Sequence, residues 1–253
     1  MRKIKSILPI WVKVPLKRVR GFVWGVFYYG KGRFCPVCGR SSRRFHKFGV
    51  PSRKDARCVH CGALERHRFL WLYLMNKTDL FDGRSKKMLH VAPEECFESR
   101  FKKLLGGNYL SADLLDHRVM VKMDITNIKY PDQSFDIIYC SHVLEHVQDD
   151  KKAIREFYRV LKENGWAIFI VPITAEVTFE DPSIVEPQER LKAFGQGDHV
   201  RKCGSDYIDR IRKAGFNVRV INANDMFKED ELIYMGITHV GAIYYCTKNS
   251  LNS

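Results

Sequence analysis

The sequence has no apolar run as long as a bilayer span; the uncharged stretch Gly21–Gly30 reaches about half that length. Its basic start is not followed by an uninterrupted apolar core and a small-residue cleavage site, the two marks of a cleavable leader. Both absences favour a cytoplasmic protein. Its 45% hydrophobic and 28% charged residues exclude disorder along most of the 253-residue chain. That length allows one large domain, or an ordinary domain with an appendage.

Negative charge is scarce at the front. Residues 1–70 hold 18 Lys and Arg but only two acidic residues, Asp55 and Glu65, so this quarter of the chain carries +16. The remainder therefore carries about −2 of the overall +14. Such an imbalance suits a polyanionic neighbour, whether nucleic acid, anionic lipid or anionic substrate. A solvated basic surface is the plainer alternative. In residues 1–32 Lys and Arg alternate with aliphatic residues, and aromatics cluster at Phe22, Trp24, Phe27, Tyr28 and Tyr29. Pro9 and Pro15 argue against a single helix. The segment could lie on an anionic membrane face or pack on the domain behind it.

Paired cysteines are concentrated in one place. Cys35-x-x-Cys38-Gly and Cys58-x-x-Cys61-Gly are two knuckles with nineteen residues between them, long enough for a short hairpin. Each brings two thiolates to one ion, and the glycine permits the tight turn. Four thiolates close a tetrahedral zinc site, so this metal would stabilise rather than catalyse. We therefore read 33–64 as a small zinc-ribbon-like module. His60 and His67 are packing or surface residues in this reading. Cys96, Cys140, Cys203 and Cys246 are scattered and read as small buried hydrophobes. Residues 65–85 begin with apolar residues at helical spacing (Phe69, Leu72, Leu80) and form a linking helix.

From residue 86 strand and helix patterns alternate, which predicts an α/β fold with a mostly parallel sheet covered on both faces. Strands are expected at 87–92, 109–113, 120–124, 135–141, 166–171, 216–222 and 240–247. The last two read as a hairpin-like pair closing the sheet edge. Helices are expected at 94–105, 148–162 and 204–214.

The segments MLHVAPE, YLSADL, KMDITNI, SFDIIYCSHVLEHV and RVLKENGWAIFIVP follow one another in an order that resembles class I S-adenosylmethionine (SAM)-dependent methyltransferases. The resemblance is strongest to the small-molecule branch that includes the ubiquinone-pathway enzymes, and it covers about 86–248 of the domain at 86–253. It implies a Rossmann-like sheet binding SAM beyond the carboxyl ends of the strands. Asp113 would hold the ribose hydroxyls, Asp124 and Ile125 the adenine. Cys140, Ser141 and His142 would stand beside the methionine portion. The glycine-rich first loop of such enzymes is replaced here by His90, Val91, Ala92, Pro93 and Glu94. Ala92 is small enough to stand for a glycine, Pro93 removes a donor, and His90 occupies a position usually acidic.

Methyl transfer needs alignment, exclusion of water and removal of a proton. His142-x-x-Glu145-His146 would set three ligands on one helical face, and the resemblance extends a divalent-metal option to them, with His199 as a fourth ligand. His142 favours a softer ion than Mg²⁺. The alternative is a helix start with structural contacts. The polar stretch 173–203 reads as a lid or substrate loop. In it Asp198 and His199 could form an oriented general base, with Arg201 holding an anionic group.

The favoured activity is O-methylation of a small-molecule or glycan-linked hydroxyl, such as a lipid-linked sugar at the inner face of a membrane. One alternative is RNA methylation with the basic zinc module gripping phosphates. The other is a non-catalytic scaffold with a degenerate cofactor loop.

Overall fold

The computed structural model describes residues 27–49 and 51–248. The aromatic basic arm before residue 27, and with it the membrane-contact expectation, lies outside the described residues. Among the described residues no helix is long and apolar enough to cross a membrane.

The front of the chain forms two antiparallel ribbons. β1 (Arg33–Cys35) pairs with β2 (Arg40–Ser42), and β3 (His46–Phe48) pairs with β4 (Arg53–Arg57). The second ribbon is the hairpin expected between Cys38 and Cys58. The knuckle glycines Gly39 and Gly62 have φ of +67° and +75°, a conformation costly for any residue with a Cβ. α1 (Glu65–Lys77) follows, burying Phe69, Leu70, Tyr73 and Leu74 at helical spacing. The backbone N–H of Leu64, just before it, donates to His67 Nδ1 at 3.1 Å.

The remaining strands are β5 (Met88–Val91), β6 (Tyr109–Asp113), β7 (Val121–Lys122), β8 (Phe135–Ser141), β9 (Leu161–Ile170), β10 (Ile173–Ala175), β11 (Cys203–Gly204), β12 (Asn217–Ile221) and β13 (Ile243–Thr247). Seven of them form one sheet in the order β12-β13-β9-β8-β5-β6-β7. Its pairings are parallel from β9 through β8 and β5 to β6 and β7, while β13 runs antiparallel to both β9 and β12. From β5 the chain proceeds outward to β6 and β7, then returns to lay β8 and β9 on the other side. The crevice between the ends of β5 and β8 is therefore the switch point of the sheet.

The covering helices are α2 (Glu95–Leu105), α3 (Asp150–Val160), α4 (Pro187–Phe194), α5 (Tyr207–Lys213) and α6 (Glu229–Tyr234). Alternation along the strands divides the core. Ile137 and Tyr139 of β8 pack with Phe97 and Phe101 of α2, with Phe69 of α1, and with Cys35, Val37 and Cys58 of the cysteine module. Ile138 and Cys140 face Ile154 and Phe157 of α3. The module and the linking helix thus share one core with the sheet. Arg68 fastens this junction: its guanidinium donates to the carbonyls of Ala56 (3.0 Å), Ala63 (2.7 Å) and Gly236 (2.6 Å), and lies over the Phe45 ring.

Several expectations change. α3 begins only at Asp150, where the Asp149 carboxylate caps Lys152 N, so HVLEHV is a run of turns and not a helical face. β9 starts at Leu161. β13 lies inside the sheet, and its link from β12 contains a 3₁₀ turn and α6 instead of a tight hairpin turn. α4 and the β10–β11 pair organise the polar insertion.

Candidate active site

Beyond the carboxyl ends of β5, β6 and β8 lies a cavity of about 520 Å³, a size ordinary for a cofactor site. Ala92, Asp113, Asp124, Ile125 and His142 line it, together with Leu114, Leu115, Met123 and His146. Five of the cofactor-site residues named from sequence are therefore brought together.

Two backbone bends shape the crevice. Ala92 follows β5 with φ +48° and His142 follows β8 with φ +53°, both left-handed. Each is held by its neighbouring strand, Ala92 N donating to Ala112 O and His142 N to Ile170 O, both at 2.8 Å. Ala92 does occupy a conformation that favours glycine, and its side chain is the smallest that can follow. Strained backbone of this kind persists where the surroundings over-determine it, as at functional sites.

The carboxylates have local duties as well. Asp113 Oδ1 accepts from Leu115 N (2.7 Å) and Asp116 N (2.8 Å). Asp124 Oδ1 accepts from Thr126 N and Thr126 Oγ1, both at 2.8 Å. In both residues Oδ1 shapes the loop; no such bond is made by Oδ2 among the described residues.

His90, Pro93, Glu94, Cys140 and Ser141 do not line the cavity. His90 is fully buried, with Nδ1 2.9 Å from the Tyr109 hydroxyl and Nε2 2.9 Å from Glu94 Oε2. Tyr139 donates its hydroxyl to Glu94 Oε1 at 2.7 Å, and His67 Nε2 stands 3.6 Å from the same oxygen. Burial pushes the Glu94 carboxyl up, but the hydrogen bond and charge of His90, with smaller contributions from nearby His67 and from the Tyr139 hydrogen bond, outweigh it and hold the group at about 2. Glu94 is thus the hub under the first loop, and its side chain is directed away from the cleft. Burial pushes the Cys140 thiol well above its usual range, so it supports the strand end and is no nucleophile.

At the far wall His142 and His146 line the cavity, and the buried Glu145 and His199 stand behind them without lining it. His142 Nδ1 is 3.1 Å from Glu145 Oε1, while buried Glu145 Oε2 has no hydrogen-bond partner among the described residues. Ligand atoms of Glu145, His146 and His199 lie within 4.8 Å of one another. The rings of His146 and His199 meet edge to face at 4.7 Å. The turns at 143–147 achieve this, together with the bond from Val200 N to Glu145 O at 3.0 Å. Burial lowers the pKa of His199. Asp198 is placed differently from expectation: its carboxylate is 3.5 Å from His146 Nδ1, and its carbonyl 3.2 Å from the same atom. Adjacent loop residues send their side chains apart, so Asp198 orients His146 rather than His199.

Arg201 is not a substrate ligand. It is buried, donating to the carbonyls of Leu144, Val147 and Gln148 and to Glu180, and so buckles the insertion to the turns. Sequence reasoning missed the hub residues His67, Tyr109 and Tyr139, and the apolar wall made by Leu114 and Leu115. Adjacent leucines in a polar loop directly after Asp113 were the available signal for the wall.

The four module cysteines approach one point. Cys35 Sγ and Cys61 Sγ are 3.7 Å apart, Cys38 Sγ and Cys58 Sγ 3.8 Å, and all four sulfurs lie within 4.8 Å of one another. A tetrahedron with zinc–sulfur bonds of about 2.3 Å has edges of about 3.8 Å. The donor set and spacing fit zinc. His60 is turned to Ser41 O at 3.2 Å, outside that set.

Residues 84–169 match a family described as a methyltransferase domain. The sheet with helices on both faces is a Rossmann-like arrangement. An uncharacterised methyltransferase of Bacillus subtilis, YcgJ, is 36% identical over 76 residues, which are 30% of this chain and 28% of that protein. Ajmaline N-methyltransferase of Rauvolfia serpentina is 30% identical over 142 residues, 55% of this chain and 46% of that one. The ubiquinone/menaquinone C-methyltransferase UbiE of Pasteurella multocida is 25% identical over 155 residues, 53% and 55% of the two chains. The chain thus spans about a quarter to just over half the length of these relatives. Among solved structures, a SAM-dependent methyltransferase of Mesorhizobium loti aligns with a TM-score of 0.47 and 13% identity, covering 70% of this chain and 97% of that one.

Proposed function

We propose that this chain is a SAM-dependent methyltransferase acting on a hydroxyl of a small-molecule or glycan acceptor. The observation that carries the reading is the single cavity at the switch point, which has Asp113, Asp124 and Ile125 along one side and His142 and His146 along the other. One side suits a nucleoside and the other suits proton chemistry.

A bound sulfonium donor supplies an electrophilic methyl group. The residues of this chain do the rest. Asp113 accepts the ribose hydroxyls through Oδ2 while Oδ1 keeps the loop in shape. Asp124 accepts from the adenine edge, and Ile125 with Leu114 and Leu115 covers its face and excludes water. His199, buried and neutral, takes the acceptor proton as the oxygen attacks. Glu145 beside it stabilises the imidazolium that results. Since methyl transfer needs mainly alignment, the positioning of donor and acceptor supplies most of the acceleration.

Zinc at Cys35, Cys38, Cys58 and Cys61 is proposed as the structural metal that holds the module. The close approach of Glu145, His146 and His199, with Glu145 Oε2 unpartnered, favours a second reading of the far wall: a divalent ion held there, with His142 at its edge. The acceptor hydroxyl would then be oriented by that site.

Calorimetric titration of the zinc-loaded protein with SAM tests the proposal. Binding at micromolar affinity, on the order usual for enzyme ligands, is expected. Absence of binding by a folded protein would leave the non-catalytic scaffold as the better reading.

A further inference from the structure

The cysteine module carries more positive charge than its fold consumes. Residues 27–64 hold nine Lys and Arg and a single carboxylate, Asp55. Arg33 pairs with Asp55 at 3.0 Å and Arg53 with Glu65 at 2.9 Å. The other seven cations are exposed and make no ion pair among the described residues. Like charges crowded on so small a body repel one another, and a bound polyanion relieves that repulsion.

Three of these cations share a cleft. A cavity of about 640 Å³ beside the β3–β4 ribbon is lined by Arg44, Lys47 and Lys54, with Tyr28, His46 and Asp55. Both oxygens of its one carboxylate are already engaged, Oδ1 by Phe45 N at 2.8 Å and Oδ2 by Arg33 at 3.0 Å. A second cavity of about 450 Å³ shares Lys54 and Asp55 with the first and adds Arg33, Arg53 and His239, so the basic surface continues round β4.

Bare apolar groups stand on the same module. Phe27 is 72% exposed and Tyr29 86%. Between them Tyr28 ties the segment to β2, its carbonyl accepting from Arg43 N at 2.8 Å. Aromatics beside cations suit either stacked bases or a bilayer interface. The sequence leading into them decides between the two. Residues 1–26 hold ten Ile, Leu and Val and seven Lys and Arg, with no acidic residue. Aliphatic side chains do not stack on bases, whereas the boundary between headgroups and acyl chains takes them in.

We infer that this face of the module docks on an anionic phospholipid bilayer, the cleft of Arg44, Lys47 and Lys54 receiving headgroup phosphates while Phe27 and Tyr29 enter the interface. The module shares its core with the sheet, so docking it holds the whole body at the membrane surface. The inference goes beyond the activity proposed above and is independent of it, since docking needs neither cofactor nor acceptor.

The test is co-sedimentation of the zinc-loaded full chain with vesicles of phosphatidylcholine, alone or with phosphatidylglycerol added. Binding is expected only with the anionic vesicles, and it should weaken as salt is raised. The triple substitution Arg44→Gln, Lys47→Gln, Lys54→Gln should weaken it by about 100-fold, near fivefold for each cation at an anionic surface, with the melting temperature unchanged. Replacing the exposed Lys102, Lys103 and Lys129 by Gln removes the same charge elsewhere and should leave binding within about twofold. Equal losses in the two triple variants overturn the inference, because net charge then explains the binding. Undiminished binding in the first variant also overturns it, since the leading segment then acts alone. So does failure of the wild type to sediment with either vesicle. A single-stranded oligonucleotide that displaces the vesicles and binds through the same three cations overturns it in favour of nucleic acid.

Discussion

His67 Nε2 stands 3.6 Å from Glu94 Oε1, and this contact joins the helix leaving the cysteine module to the loop that borders the cleft at the switch point. Because His67 Nδ1 accepts from Leu64 N, the ring's proton is on Nε2, facing the carboxylate. Burial lowers the pKa of His67 from 6.5 to about 3. The unfolded chain therefore binds this proton at a higher pH than the folded chain does. Between pH 6.5 and 3 the unfolded state holds more protons, so stability falls as the solution is acidified. From pH 7 to pH 5 the contribution of His67 is a loss of about 2 kcal/mol. Urea unfolding at the two pH values, on wild type and His67→Gln, checks this. Glutamine keeps an acceptor and a donor but does not titrate, so its pH dependence should be smaller by that amount. Equal dependence in the two proteins would mean that His67 is not a buried neutral base.

Arg68 makes the opposite kind of contact, one whose loss is felt at once. It links the carbonyls of Ala56 and Ala63 to that of Gly236, far along the sequence. Arg68→Met keeps the stem but leaves those carbonyls buried without donors, at a cost of about 3–5 kcal/mol. For a chain of this size that is a fall in melting temperature of about 10 °C. A thermal scan with an unchanged midpoint would contradict the clamp.

Metal removal should have a similar global effect. Cys35 and Cys58 belong to the same packed core as Phe69, Phe97 and Ile137, so the module cannot open without exposing the inner face of the sheet. Structural zinc contributes folding free energy directly. Chelation, or Cys58→Ser, is therefore expected to lower the melting temperature by about 10 °C or more in one cooperative transition. Two separate transitions, with the sheet melting unchanged, would show the module to be an independent appendage.

What the sequence discloses depends on how local the cause is. The ends of β6 at Asp113 and of β8 at Ser141 follow from alternation and coincide with the structure. The cysteine knuckles follow from spacing, since each is closed within four residues. The reading of HVLEHV as a helical face fails because spacing alone does not reveal the left-handed φ of His142, which breaks the helix before it can begin. Arg201 looks like a ligand in sequence because its partners at 144, 147 and 148 lie more than fifty residues away. The Glu94 hub is hidden for the same reason. α4 was missed inside the stretch read as a lid loop, although Pro187 in its first turn and Gly195 after its last were the available signal.

Asp113 offers the sharpest test of the nucleoside side. Alanine would disturb the loop as well, because Oδ1 holds Leu115 N and Asp116 N. Asp113→Asn keeps that acceptor and removes only the charge and the second acceptor. Affinity for SAM should fall by about 10- to 100-fold, the 1.5–3 kcal/mol of hydrogen bonds to a charged group, with the melting temperature held. Unchanged affinity would move the ribose to another part of the cleft.

The far wall separates two chemistries by stoichiometry. If His199 is the base, His199→Asn should lower kcat by about 10²- to 10⁴-fold and leave the affinity for SAM intact, since the residue stands behind His146 and does not itself line the cavity. The protein should then take up a single equivalent of divalent metal, in the four-thiolate site. If instead Glu145, His146 and His199 hold an ion, cobalt titration should reveal a second equivalent lacking the strong thiolate charge-transfer bands, and Glu145→Gln should abolish it. The absence of a Glu145 Oε2 partner allows either result, because a buried carboxylate oxygen can serve an imidazolium or a cation. We expect one equivalent, because His199 is buried and its pKa is lowered by that burial, which keeps the imidazole neutral and ready to take a proton. A second equivalent lost in Glu145→Gln would transfer the activation of the acceptor from the imidazole to the metal.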